Sequence, residues 1–266
     1  MATRSAVSVK RIVVAVDSTL RSLTALDMAA ALAAEFQAHL ETLFIEDADL
    51  LQLAELPFAT ELDRTSGELR RVDPAHIASA LQAQARRVQQ ALKTASAPHR
   101  IRSSLRVVRG HYIREATMQT GVDVLFMSTS TRLAMTRRSR ASAPRVAANV
   151  RSALPVHVFC DATAPAVRAL VLAAELAAWL KADLVVLRPA MEETEVQGLV
   201  ERAHEAVGAD RSVRFETVAD AHEAIGAQVR TMGCSVLVMP RPALDTPPQE
   251  ALGFAAAIDC PLVLVT

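Results

Sequence analysis

The chain has 266 residues, about half of them apolar, with 29 basic and 29 acidic side chains. That length suits about two domains of roughly 100–150 residues each, with ample apolar material for two cores. Zero net charge together with a single Trp and a single Tyr argues against a dedicated nucleic-acid binder, which shows a basic excess and aromatic stacking surfaces.

The opening MATRSAVSVK is polar, contains no signal-peptide apolar core and runs straight into a β-branched stretch at 12–16, suited to a strand buried on both faces. Asp17, Ser18 and Thr19 then offer helix N-caps. The helix is expected to run to about Phe36, with Leu23, Leu26, Ala30 and Ala33 facing a sheet. A strand at 40–45 completes a βαβ unit, expected to be right-handed and parallel. Residues 46–98 hold an apolar cluster (Leu50, Leu51, Leu53, Leu56, Phe58) punctuated by Pro57, then a long amphipathic helix at 75–95. Strands at 105–108 and 122–127 flank a helix at 111–120; an Arg-rich polar stretch, a helix to about Ala153 and a strand at 155–159 follow. The remainder reads as helices at 165–181, 193–207, 220–232 and 249–258, alternating with strands at 183–188, 213–218, 235–239 and 261–265.

The chain repeats itself. With an offset of 144, Asp17 falls on Asp161, Thr19 on Thr163 and Leu40 on Leu184, and 12 of the 27 positions from Asp17 to Leu43 are identical. GVDVLFM at 121–127 matches GCSVLVM at 233–239, and LPVHVF at 154–159 matches CPLVLV at 260–265. Each copy is one α/β unit, so the repeat sets the fold class. The stretch at 155–159 matches the last strand of the first copy, yet it leads directly into Asp161, where the first strand of the second copy belongs. Either two sheets merge through a strand shared at 155–159, or one sheet lacks a strand that a partner chain supplies.

Each half resembles a domain of the universal stress protein family. The resemblance rests on an opening strand ending in Asp, a third strand followed by Gly (Val107-Val108-Arg109-Gly110), a fourth strand ending in Met before a loop, and a last helix leading into Cys/Leu-Pro-Val-x-Val. It implies a fold of two Rossmann-like parallel-sheet units in tandem: a first domain over 1–154 with an inserted segment at 46–98, and a shorter second domain over 155–266. The ATP-binding branch of that family carries Gly-x2-Gly-x9-Gly-Ser/Thr after the fourth strand, where backbone N–H groups and a helix N-terminus cradle phosphates. Here Thr131, Ala134 and Ala141 stand where the glycines would be, and only Ser142 keeps the residue type. In the second half the loop opens Pro240-Arg241-Pro242, and proline has no N–H to donate.

Asp17 fits two roles: a helix N-cap or, by the resemblance, a contact to a nucleotide base or ribose. Between Val124 and Cys160 lie Arg132, Arg137, Arg138, Arg140, Arg145 and Arg151 and no acid; this is either a solvated loop or a set of guanidinium forks replacing the lost glycine N–H donors around an anion. The helix at 165–181 is apolar nearly all round, which fits an interdomain or subunit interface as well as ordinary sheet packing. His157, between Val156 and Val158, reads as a buried or edge histidine, and no histidine has metal-site spacing. Cys160, Cys234 and Cys260 read as buried thiols of a reducing compartment. There is no G-x-G-x-x-G, P-loop, receiver-type Asp/Lys pair or nucleophile elbow.

The resulting expectation is a cytoplasmic stress-response or regulatory protein, without membrane or nucleic-acid partners, that forms a homodimer. Its first half takes an adenine nucleotide (ATP or ADP) or a smaller anion through Asp17, Thr19, Ser128, Thr129, Arg132 and Ser142. The alternatives are a ligand-free interaction protein and a weak nucleotide hydrolase.

Overall fold

β-branched and leucine-rich runs of four to nine residues build one large sheet. In the computed structural model the described residues are 7–16, 20–62, 67–127, 154–208, 212–219, 222–241, 254 and 258–266. The first half contributes β1 (Arg11–Val16), β2 (His39–Asp47), the small antiparallel hairpin β3 (Thr60–Leu62) and β4 (Leu69–Arg71), β5 (Ser103–Gly110) and β6 (Val124–Met127). The second half contributes β7 (Val156–Phe159), β8 (Leu184–Arg188), β9 (Val213–Thr217), β10 (Val236–Pro240) and β11 (Leu262–Val265). All but the hairpin lie in a nine-stranded sheet of order β5-β2-β1-β6-β11-β10-β7-β8-β9. Every neighbouring pair in it is parallel except β6 with β11, which is antiparallel.

The two sheets therefore do merge, but the expected strand is not the one that joins them. The strand at 155–159 pairs with β10 and β8 and serves the second half alone. The place beside β6, where a fifth strand of the first half would lie, is taken by the fifth strand of the second half, in the register Leu262↔Met127 to Val265↔Val124. Both strands are fully apolar and buried, so each supplies the other with ladder partners and cross-strand packing.

Helices cover both faces. α1 (Leu20–Glu35), α3 (Pro74–Ser96), α5 (Ala164–Leu180) and α6 (Glu193–Val207) lie on one side; α4 (Tyr112–Thr117) and α7 (His222–Met232) lie on the other. α5 packs against α6 and the strands β7, β10 and β11 of its own half and against α1 of the other, so its nearly continuous apolar surface is covered on more than one side. α3 is the crossover helix from β2 to β5. What the first half adds beyond the second is α2 (Ala48–Glu55), capped by Asp47, and the hairpin.

Polar groups fix the amino ends of the first-half strands. Asp123 Oδ2 accepts from the backbone N–H of Lys10 and Arg11 at 2.8 and 2.9 Å. The buried Glu41 lies between Arg11 (2.7 Å) and Arg106 (2.8 Å). Burial alone would raise its carboxyl, but the two guanidinium groups outweigh that and hold it below the usual carboxylate range. The join is tied from the other half as well: Thr266 donates to the carbonyls of Asp123 and Val122, and the Arg241 guanidinium donates to those of Thr117 and Gln119.

None of the three cysteines forms a disulfide; Cys160 and Cys260 are buried and Cys234 is partly buried. Burial and a hydrogen bond with the Cys260 thiol push Cys234 well above its ordinary value. His157 is fully buried, and burial depresses it to about 4, aided by the charge of Arg214 and opposed by a backbone contact at Pro155.

Val263→Pro removes an N–H from an interior strand and is expected to lower unfolding free energy by about 3 kcal/mol or more in urea titrations; a loss under about 1 kcal/mol would be incompatible with the β6–β11–β10 pairing. His157 stays neutral in the folded state while the unfolded chain takes up its proton. Stability is therefore complete above pH 6.5 and falls as pH drops towards about 4, by up to about 3 kcal/mol. His157→Gln should flatten that window of the pH–stability curve relative to wild type.

Candidate functional site

In open α/β sheets, ligands bind outside the carboxyl ends of the strands, where consecutive connections leave to opposite faces. In the first half that switch lies between β1 and β6. β1 continues into α1 on one face, and β6 is reached from α4 on the other. The two strands are parallel neighbours with Ala15 opposite Met127, so the residues just before Asp17 and just before Ser128 end adjacent strands.

The crevice floor is held by groups that sequence patterning did not single out. Tyr112, at the start of α4, donates its hydroxyl to the Ala15 carbonyl at 2.8 Å and pins the end of β1 from below. On the adjoining strands Arg109 and Glu46 approach at 3.6 Å, and His111 meets Asp49 of α2 at 3.5 Å. Tyr112 is the chain's single tyrosine, two residues past the Gly110 that closes the third strand; that position is the one signal that could have marked it.

The expected ligand contacts themselves, Asp17, Thr19, Ser128, Thr129, Arg132 and Ser142, all lie outside the described residues, as do the other arginines of that stretch and most of the expected helix at 249–258. Among the described residues no group of three His, Cys, Asp or Glu side chains could hold a metal ion.

The second half shows what its own strand ends do. Asp161 accepts from Thr163 through one oxygen, from the backbone N–H at 3.1 Å and from the hydroxyl at 2.6 Å. Thr163 in turn caps α5 through Ala166 N–H. The carboxylate thus shapes the tight turn in which Ala162 takes φ +63°. At the end of β10, Arg241 turns to the first half, as described above. Because β11 runs antiparallel to β6, the carboxyl ends of the two half-sheets point in opposite directions, and the two crevices open at opposite ends of the strands.

The sequence model of the universal stress protein family matches residues 8–160, more than half of the chain. The chain belongs to that family. No curated protein matches it. A universal stress protein from Archaeoglobus fulgidus DSM 4304 shares 13% identity, with 97% of each chain covered and a TM-score of 0.51, so the family fold extends over the second half too. A further universal stress protein from Pseudomonas aeruginosa UCBPP-PA14 aligns over 97% of this chain and 93% of its own at 12% identity and a TM-score of 0.46. A universal stress protein solved in complex with cAMP aligns over 43% of this chain and 99% of its own, at 18% identity and a TM-score of 0.36. No described helix is long and apolar enough to cross a membrane.

Tyr112→Phe deletes the bond to Ala15 without changing shape. It is expected to lower unfolding free energy by about 1 kcal/mol and to raise amide exchange at the end of β1; unchanged exchange there would show that the phenol does not hold that strand.

Proposed function

We propose that this member of the family is a regulatory binding protein whose first-half crevice takes an adenine nucleotide or another small anion. The observation that carries the reading is the switch point at the ends of β1 and β6, the class of place where nucleotides sit in open α/β sheets, from which Asp17 and Ser128 lead off. In this reading Asp17 and Thr19 meet the base or ribose. Ser128, Thr129, Arg132 and Ser142 hold the charged end, side-chain hydroxyls and a guanidinium doing what glycine N–H groups do in the ATP-binding branch. The reading includes self-association into a homodimer, and action in the cytoplasm. The loss of all three loop glycines favours, as a second reading, a protein that acts through its surfaces with no ligand.

Mass spectrometry of small molecules released from the purified protein, with thermal unfolding in ATP, ADP and inorganic phosphate, separates the two. Ligand at a hundredfold its Kd stabilises by about 2.7 kcal/mol, a rise in Tm of roughly 5–10 °C for a chain of this size. Asp17→Ala and Arg132→Ala should each remove most of that rise. No released ligand and no shift with any of the three would sink the binding reading. Phosphate release from ATP that vanishes in Asp17→Ala would make the chain a hydrolase instead.

A further inference from the structure

The added segment between β2 and α3 displays an apolar surface unlike any other part of the described chain. Leu53, Leu56, Phe58, Leu62 and Leu69 are 50%, 42%, 75%, 59% and 72% exposed. They belong to α2, its C-terminal corner and the β3–β4 hairpin. Leu62 and Leu69 are directly opposite in the antiparallel register and so share one face of the hairpin. Glu61 and Arg70, the next pair, share the other face and are joined at 2.6 Å. The hairpin is therefore two-sided, with its charges satisfied on one side and its leucines facing water on the other.

This surface is braced. The Arg71 guanidinium donates twice to the Pro57 carbonyl, at 3.0 and 2.5 Å. Ala59 N–H bonds Leu56 and Val72 N–H bonds Ala59, so hairpin, corner and α2 hold one arrangement. A lone two-stranded hairpin is at best marginally stable in water, and an apolar side left uncovered adds nothing to it.

We propose that this face is the interface at which two copies of the chain meet. At side-chain areas typical of leucine and phenylalanine the five residues bare about 450 Å² of apolar surface, within the range of the largest patch a monomer leaves exposed. Two such patches related by a two-fold axis bury about 900 Å² of apolar surface, which at an apolar share of about 60% makes an interface of about 1,500 Å² in total, the size of a specific, stable one. The rim carries both signs, Glu55 at the end of α2 and Arg71, which shares the leucine face of the hairpin, both exposed. A two-fold axis sets each patch against its own image, so such a rim can meet itself acid to base. The edge of the first-half sheet beside β6 is already filled by β11, so self-association through that edge is closed to this chain.

The inference rests on the homodimer reading, and sedimentation equilibrium of the full chain over the micromolar range tests the two apart. A dimer is expected, weakened tenfold or more by Leu62→Glu with Leu69→Glu and by Phe58→Glu, and unchanged by Trp179→Glu, a half-exposed aromatic on α5. Amide exchange supplies a readout without substitution: protection across 53–72 should rise with protein concentration. A monomer at every concentration sinks both readings. A dimer indifferent to the charged variants, or one broken by Trp179→Glu, keeps the homodimer and overturns this surface.

Discussion

Two strands that stand about 140 residues apart in the chain, Val124–Met127 and Leu262–Val265, pair antiparallel, and the rest of the architecture depends on that ladder. Without β11, β6 would be a buried-type apolar strand with a bare edge, the kind of surface that recruits other chains. Without β6, the second half would end on a strand equally apolar. Their union makes one sheet of two, lays α1 beside α5, and brings Arg241 and Thr266 onto carbonyls of the first half. The apolar girth of α5 makes sense only in this setting, since its neighbours on either side come from different copies of the repeat.

The same ladder orients function. An antiparallel join reverses one half-sheet relative to the other, so the two crevices share no wall. The second-half crevice has Asp161 committed to its own turn and Arg241 committed to the neighbouring half. In the proposed reading the ligand lies at the β1–β6 end, above the bond between Tyr112 and Ala15.

Much of this was legible in the sequence, and the exceptions have physical causes. Short β-branched runs ending in Asp, each followed by an alanine-rich helix, announce parallel α/β units because a strand buried on both faces needs no alternation. Gly121 and Gly233 recur before the fourth strands because both take positive φ, +62° and +71°, which glycine adopts freely. Gln37 and Lys181 also recur in the left-handed region at the ends of α1 and α5. No glycine marks them; Ala38 and Ala182 close both helices by bonding Ala33 and Ala177, and that ladder carries the strain. The sequence leaves the join open, and neither alternative names β11, because motif likeness identifies a strand without saying which edge it meets; pairing across about 140 residues is a tertiary choice. The hairpin escaped notice because three-residue strands are too short to display a period. The candidate site was legible only as a crevice between strand ends. Its expected contacts fall outside the described residues, and Tyr112 carries no motif.

The shared strand also imposes an order on biosynthesis. Domains made early in synthesis commonly fold before later ones emerge, and loop closure over such a separation is slow. Here the first half presents an open β6 edge from the moment Met127 leaves the ribosome until Val265 is made. Throughout that interval its most apolar edge is available to any strand nearby. An edge left waiting in this way is exposed to pairing with other chains, a hazard that two independent domains on a linker would not share.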